Sequence, residues 1–267
     1  MIIHNFSPIF IDLGFFQLRW YSIAYIMGIA LGWWFANKII GNSKIYKRSN
    51  ITTKVFDDLI IYLIIGIIIG GRIGYIIFYN FEYYSENFID SFKIWEGGMS
   101  FHGGLIGIIF GTIIFSKIKK INFFKLTDVI ACVSPIGIFF GRLANFINGE
   151  LYGKASTVPW AVIFPRIDNF PRHPSQIYEA ILEGLILLLI VSFFSFRKNM
   201  IHREGYVSGI FLIFYSMFRL FSEIFREPDN HIGYFFDYYS MGTILSFFTL
   251  ISGLLIILYV KKNEENN

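Results

Sequence analysis

Arg142, Asn145, Asn148 and Glu150 fall within nine residues of an otherwise apolar run, Gly141-Arg142-Leu143-Ala144-Asn145-Phe146-Ile147-Asn148-Gly149-Glu150. A guanidinium presents a rigid donor fork matched to phosphate or carboxylate oxygens, and the amides add neutral hydrogen bonds. The carboxylate can orient an arginine or accept from a hydroxyl. Together these groups suit an anionic, oxygen-rich ligand. A second polar stripe runs through Tyr215, Arg219 and Glu223, each four residues apart, with Arg226 three further on. Glu179 and Glu183 are also four apart, so on a helix they share a face. His102 stands among four glycines in Gly97-Gly98-Met99-Ser100-Phe101-His102-Gly103-Gly104. Such glycines let a ligand or another backbone approach the imidazole. A near-neutral titratable group beside fixed positive charge has the composition of a general base.

The elements that must position these groups are membrane helices. Of 267 residues 55% are hydrophobic, 20% aromatic and only 16% charged, whereas soluble domains carry about 25% charged residues. A span needs roughly 20 mostly apolar residues. Hydropathy gives seven: Trp20–Ala36, Leu59–Tyr79, Gly98–Ser116, Thr127–Ile147, Gln176–Phe196, Gly205–Ile224 and Tyr239–Val260. The expected fold is therefore an all-α integral membrane protein, a single polytopic domain over residues 1–267. Residues 1–18 form an interfacial segment too short and interrupted to span. Met1 to Phe16 has neither the basic region nor the cleavage site of a signal peptide.

Basic residues set the orientation. Lys38, Lys44, Lys47, Arg48, Lys54, Lys117, Lys119, Lys120, Lys125, Arg197, Lys198, Arg203, Lys261 and Lys262 all fall on one set of loops. The opposite set, with the N-terminal segment, holds only Lys93, Lys154, Arg166, Arg172 and Arg226. By the positive-inside rule the N-terminus lies outside and the C-terminus in the cytoplasm. The net charge of +4 is thus a topology signal, and a nucleic-acid partner is not expected. This topology puts His102, Arg142 and Glu150 toward the outer surface.

Charges at membrane depth are costly and mark functional sites. The competing reading for Arg72, Glu183 and the Arg219–Glu223 pair is ion pairing between or along helices. Cys132, alone in an apolar stretch, reads as a small hydrophobe. There is no Gly-x-Ser-x-Gly elbow, no His-Glu-x-x-His and no phosphate-binding Gly-x-x-x-x-Gly-Lys. The five histidines have no metal-ligand spacing. A transporter reading lacks an inverted repeat, and an intramembrane protease lacks its paired aspartates.

The segment Gly141 to Gly153, ending Leu151-Tyr152-Gly153, closely resembles the signature of the bacterial phosphatidylglycerol–prolipoprotein diacylglyceryl transferases. Arg19-Trp20-Tyr21, Gly70-Gly71-Arg72-Ile73-Gly74-Tyr75, Gly97 to Gly104, Arg172-His173-Pro174-Ser175-Gln176 with Tyr178-Glu179, and Tyr215 to Asp229 are similar to that family too. The resemblance runs from the first span to the last, although Gly153 to Arg172 carries no recognisable pattern. It implies a multi-pass enzyme of the bacterial inner membrane with a periplasm-facing polar site. The reaction it implies moves an sn-1,2-diacylglyceryl group from phosphatidylglycerol to the lipobox cysteine thiol of a preprolipoprotein, forming a thioether and releasing glycerol 1-phosphate. No metal or organic cofactor is expected, because the lipid brings the activated group. In this frame His102, Arg142, Arg219 and Glu150 are the candidate catalytic residues. Arg142, Asn145, Tyr21, Tyr215 and Gly153 are the candidate substrate-binding residues, Tyr21 by resemblance only. Gly153 is expected in a turn that needs unusual dihedrals.

Overall fold

The computed structural model describes residues 2–14, 17–42, 50–93, 97–228, 234–235 and 238–265, with the side chains of Phe101, His102, Tyr234 and Phe235 excepted. Lys44, Lys47, Arg48, Asp229 and His231 lie outside the described residues. The protein is mostly helical, as its composition demands. In chain order the helices are α1 (Trp20–Gly41), α2 (Thr53–Tyr79), α3 (Phe81–Glu86), α4 (Phe101–Lys119), α5 (Phe123–Asn148), α6 (Ser175–Arg197), α7 (Tyr206–Glu223) and α8 (Met241–Glu265). Among the described residues five of them, α1, α2, α5, α6 and α8, are long and apolar enough to cross a membrane. Large apolar side chains such as Ile65, Ile69, Leu254 and Leu258 are exposed on them, as lipid-facing surfaces require. Short strands depart from the purely helical expectation. They are β1 (Ile2–Ile3), β2 (Ile9–Asp12), β3 (Gln17–Arg19), β4 (Val162–Ile163), β5 (Pro171–Arg172), β6 (Tyr234–Phe235) and β7 (Tyr239–Ser240). The chain forms two compact units, Ile39–Thr127 and Met1–Lys38 with Asp128–Asn267.

In the unit Ile39–Thr127, α2 and α4 meet through glycine. Gly66, Gly70 and Gly74 recur every four residues on α2, and Gly103, Gly107 and Gly111 do so on α4. A Cβ on Gly70 or Gly107 would run into the backbone of the facing helix. Small residues permit that approach where no hydrophobic drive assembles helices in lipid. The glycines beside His102 thus admit a backbone: Gly103 packs on Gly70 and Gly74. The third expected span starts later than its hydropathy, because Gly98 has φ +78° and Ser100 caps α4 by accepting from the Gly103 amide at 3.2 Å. Among the described residues the hydrogen bonds of Arg72 all go to backbone carbonyls. Its guanidinium donates to the carbonyls of Ser91 (2.8 Å), Asp90 (2.7 Å) and Gly97 (2.5 Å) and lies 5.0 Å over the Tyr84 ring. It ties down the chain between α3 and α4.

In the unit of Met1–Lys38 and Asp128–Asn267, β1 pairs parallel with β4, which pairs antiparallel with β5. β2–β3 and β6–β7 are separate antiparallel pairs. α7 is preceded by Gly205, whose φ of +96° suits glycine but leaves no side chain to cap the helix. Asp128 on α5 supplies the cap from a distance. Its carboxylate accepts from Gly205 N at 2.7 Å, Ser208 N at 2.8 Å and Ser208 Oγ at 2.6 Å, and only 1% of the residue is exposed. Asp128→Ala leaves two buried amides without an acceptor and should destabilise the protein by about 2–4 kcal/mol. A thermal melt in detergent reads this directly, and Asp128→Asn should recover part of the loss. Cys132 is buried against Ser195 Oγ at 3.3 Å, in keeping with its packing role.

Candidate active site

The polar residues of α5, α6 and α7 converge in one buried cluster. Arg142 reaches from α5 to two carboxylates of α6, with Nη1 2.9 Å from Glu179 Oε2 and Nη2 3.0 Å from Glu183 Oε2. Arg219 on α7 approaches the same pair, with Nη1 2.9 Å from Glu179 Oε1 and 3.5 Å from Glu183 Oε1, while its Nη2 bonds Glu223 on its own helix. Arg226 adds Nη1 at 3.3 Å from Glu179. Glu179 therefore receives three arginines, and its side chain and that of Glu183 are 0% exposed. Three arginines face three glutamates, so the ionised cluster is formally neutral. Ion pairing, the plainer reading of Glu183 and of Arg219–Glu223, is thus real, but it joins helices as well as running along one.

Pairing is not complete satisfaction. Glu179 Oε2, Glu183 Oε1 and Arg219 Nη1 are buried without a hydrogen bond of good geometry, although each lies within ion-pair distance of an opposite charge. Arg219 Nη1 is thus held by charge rather than by a well-aligned hydrogen bond. The Arg142 side chain, 16% exposed, is the most accessible of the three. The Ala180–Ile186 stretch of α6 winds as a π-helix around Glu183, a distortion that recurs at functional sites.

Beside the cluster, Asn145 is buried and its Nδ2 donates to the hydroxyl of Tyr21 on α1. Tyr215, half-buried on α7, stacks on Phe211 at 5.8 Å. Glu150 lies just past α5, exposed, and among the described residues its carboxylate receives a single long 3.4 Å bond, from Asn148. Among the described residues no arginine pairs with it. The backbone after α5 is held by the Arg172 to Gln176 segment. Gln176 Nε2 donates to Glu150 O at 2.6 Å, Ser175 Oγ to Leu151 O at 3.0 Å and Arg172 Nη1 to Gly153 O at 3.1 Å. Those bonds fix Leu151 at φ +56°, a left-handed conformation that costs a non-glycine residue about 1–3 kcal/mol. Arg172 also bonds Asp168, which it holds below the usual carboxylate range, and Glu227, and lies 4.9 Å over Tyr152.

Gly153 corrects its sequence reading. Its φ is not positive, unlike that of Gly149 at +71°. Glycine is needed there because a Cβ would meet the carbonyls of His173 and Phe225, in a bridge pairing Gly153 with Arg226. The His102 side chain lies outside the described residues, and its backbone opens α4. His4, which sequence reasoning passed over as one of five scattered histidines, is 5% exposed and lies against the last turn of α5. Only its place in an aromatic N-terminal segment hinted at a buried role.

A family model described as prolipoprotein diacylglyceryl transferase matches residues 8–259. A Rickettsia felis protein named phosphatidylglycerol–prolipoprotein diacylglyceryl transferase is 49% identical over 257 residues, covering 96% of this chain and 98% of its own. A protein of the same name from Rickettsia bellii (strain OSU 85-389) is 50% identical over 258 residues, covering 97% of each chain. Its counterpart from Rickettsia typhi is 50% identical over 257 residues, covering 96% of this chain and 98% of its own.

Proposed function

We propose, on the premise that this chain belongs to the prolipoprotein diacylglyceryl transferase family, that its buried arginines hold a phospholipid phosphate while a thiol displaces it. The chain is a transferase that moves the diacylglyceryl group of phosphatidylglycerol to a prolipoprotein. In the reading put forward here, the acceptor is the lipobox cysteine. Its thiolate attacks the glycerol carbon, the carbon–oxygen bond to phosphate breaks, a carbon–sulfur bond forms, and glycerol 1-phosphate leaves with the bonding electrons. Charge grows on that phosphate as the bond breaks. Arg142 and Arg219, on separate helices and anchored by the same two glutamates, would meet the growing charge from two sides. The single observation that carries this reading is their convergence on Glu179 and Glu183. Asn145, Tyr21 and Tyr215 would supply neutral hydrogen bonds to the headgroup, Glu150 would accept from its free hydroxyl, and Gly153 would keep the rim close-packed.

The thiol of the acceptor, with an ordinary pKa of about 8.5, is mostly protonated at neutral pH. His102 is assigned as its general base on residue type and on the Gly97 to Gly104 segment. The membrane assignment is seven spans, with α4 and α7 added to the five longest apolar helices. It places the N-terminus outside and the C-terminus in the cytoplasm of a bacterial inner-membrane enzyme.

The test is an assay with purified protein, phosphatidylglycerol and a reduced lipobox peptide, reading peptide mass and released glycerol phosphate. A diacylglyceryl mass gain supports the reading, and no gain with folded protein overturns it. In the same assay His102→Gln should be slow at neutral pH with an unchanged KM for lipid. Its deficit should narrow as pH rises and the thiol ionises unaided. A wild-type rate across the pH series would remove the base from the mechanism.

A further inference from the structure

We infer that His4 is a positioning residue for the transfer reaction, acting through the carbonyl of Phe146; the inference rests on the transferase reading above. The last four carbonyls of an α-helix have no partner within it, and Phe146 sits in the last turn of α5. His4 Nε2 is 2.7 Å from that oxygen. A carbonyl only accepts, so Nε2 carries a proton and donates. The same oxygen receives the Gly149 amide at 3.0 Å, and Asn145 O next to it receives the Glu150 amide at 3.0 Å. His4 therefore closes the helix end at the point where the chain turns from Asn145 to Glu150.

Its own position is held on every side. The backbone amide of His4 bonds Ile163 O at 2.9 Å, continuing the parallel pairing of β1 with β4. The ring packs against Phe6, Phe146 and Phe164 with centroids 5.0–5.4 Å away. The turn at Gly149 runs so close that a Cβ there would lie 3.5 Å from His4 Cε1. A ring this confined donates in one direction only, toward the turn that sets where Asn145 faces Tyr21 and where Glu150 emerges. Arg142, one turn earlier, keeps its place through Glu179 and Glu183 without help from His4. Loss of the His4 donor should therefore spare capture of the phosphate and disturb alignment at Asn145 and Glu150.

The experiment compares wild type, His4→Phe and His4→Gln in the peptide-transfer assay, with thermal melts on the same preparations. Phenylalanine keeps an aromatic ring without a donor, and glutamine places an amide donor at comparable reach. His4→Phe should lower kcat about tenfold, the worth of one well-aligned hydrogen bond, with KM for phosphatidylglycerol within twofold. His4→Gln should recover kcat to within twofold of wild type. If the phenylalanine variant fails to accumulate, His4→Asn, whose amide falls short of Phe146 O, should give the same kcat loss. Unchanged kcat in the donor-less variants, or a glutamine variant as slow as phenylalanine, overturns the positioning role. A wild type that forms no thioether overturns the transferase reading itself, and this inference with it.

Discussion

Arg142→Lys should reduce diacylglyceryl transfer at least a hundredfold, the usual scale for losing an oriented donor at a site of developing charge, while the protein stays folded. Lysine keeps the positive charge, so a site that needed only charge would tolerate it. The arginine does more: its two terminal nitrogens bridge Glu179 and Glu183 at 2.9 and 3.0 Å. A single ammonium cannot span both carboxylates and still offer a planar fork to phosphate. Arg142→Ala should abolish transfer and also strip partners from two fully buried carboxylates, a change that costs about 3–5 kcal/mol where a buried ion pair is broken from one side. The two variants separate chemistry from folding. Both are read by peptide mass and by a melt in detergent. Near-wild-type transfer by Arg142→Lys would remove the two-donor argument.

Gly107→Val should be the most damaging single change away from the charged cluster. A side chain there meets the backbone of Gly66 on α2, including its carbonyl carbon at 2.6 Å. No rotamer relieves a clash with main chain, so α2 and α4 must separate. The loss should exceed the about 1–3 kcal/mol of ordinary overpacking, because the Gly70 and Gly74 contacts open as well. Gly137→Ala on α5 is the control. A Cβ there meets nothing within 4 Å, and alanine favours a helix by roughly 0.5–1 kcal/mol over glycine. Accumulation in membranes and melting temperature should fall sharply for Gly107→Val and hold or rise for Gly137→Ala. Equal behaviour of the two would mean the glycine stack is dispensable.

The helices were legible because membrane hydropathy overrides weaker signals. Each expected span overlaps an observed helix, and the ends differ where a cap decides, as Ser100 does for α4. The strands were not legible, since two to four residues carry no usable period. Within the site, Arg142, Glu179, Glu183 and Arg219 stood out as charges in apolar runs. Their shared pairing did not, because it depends on how α5, α6 and α7 are rotated toward one another. For Arg72 the sequence was silent on what the described residues show: its hydrogen-bond partners there are backbone carbonyls, which every residue has and no sequence pattern marks. Gly153 was read as a dihedral requirement when the requirement is steric, imposed by His173 and Phe225 far along the chain.

The pairing of β1 with β4 bears on the order in which the protein can be built. Ile2 and Ile3 find their partners at Val162 and Ile163, and the His4 ring bonds a carbonyl 142 positions later. During synthesis Ile2 and Ile3 must wait until Val162 and Ile163 have followed them. Contacts this distant in sequence form late and slowly. The helices of the Met1–Lys38 and Asp128–Asn267 unit can pack first, with the end of α5 still frayed. Only when Ile2 to His4 come to rest against Val162 and Ile163 does the turn from Asn145 to Glu150 become fixed. The turn can thus be fixed once Ile163 has been made, whereas Arg219 and Arg226 of the buried cluster still follow it in the chain.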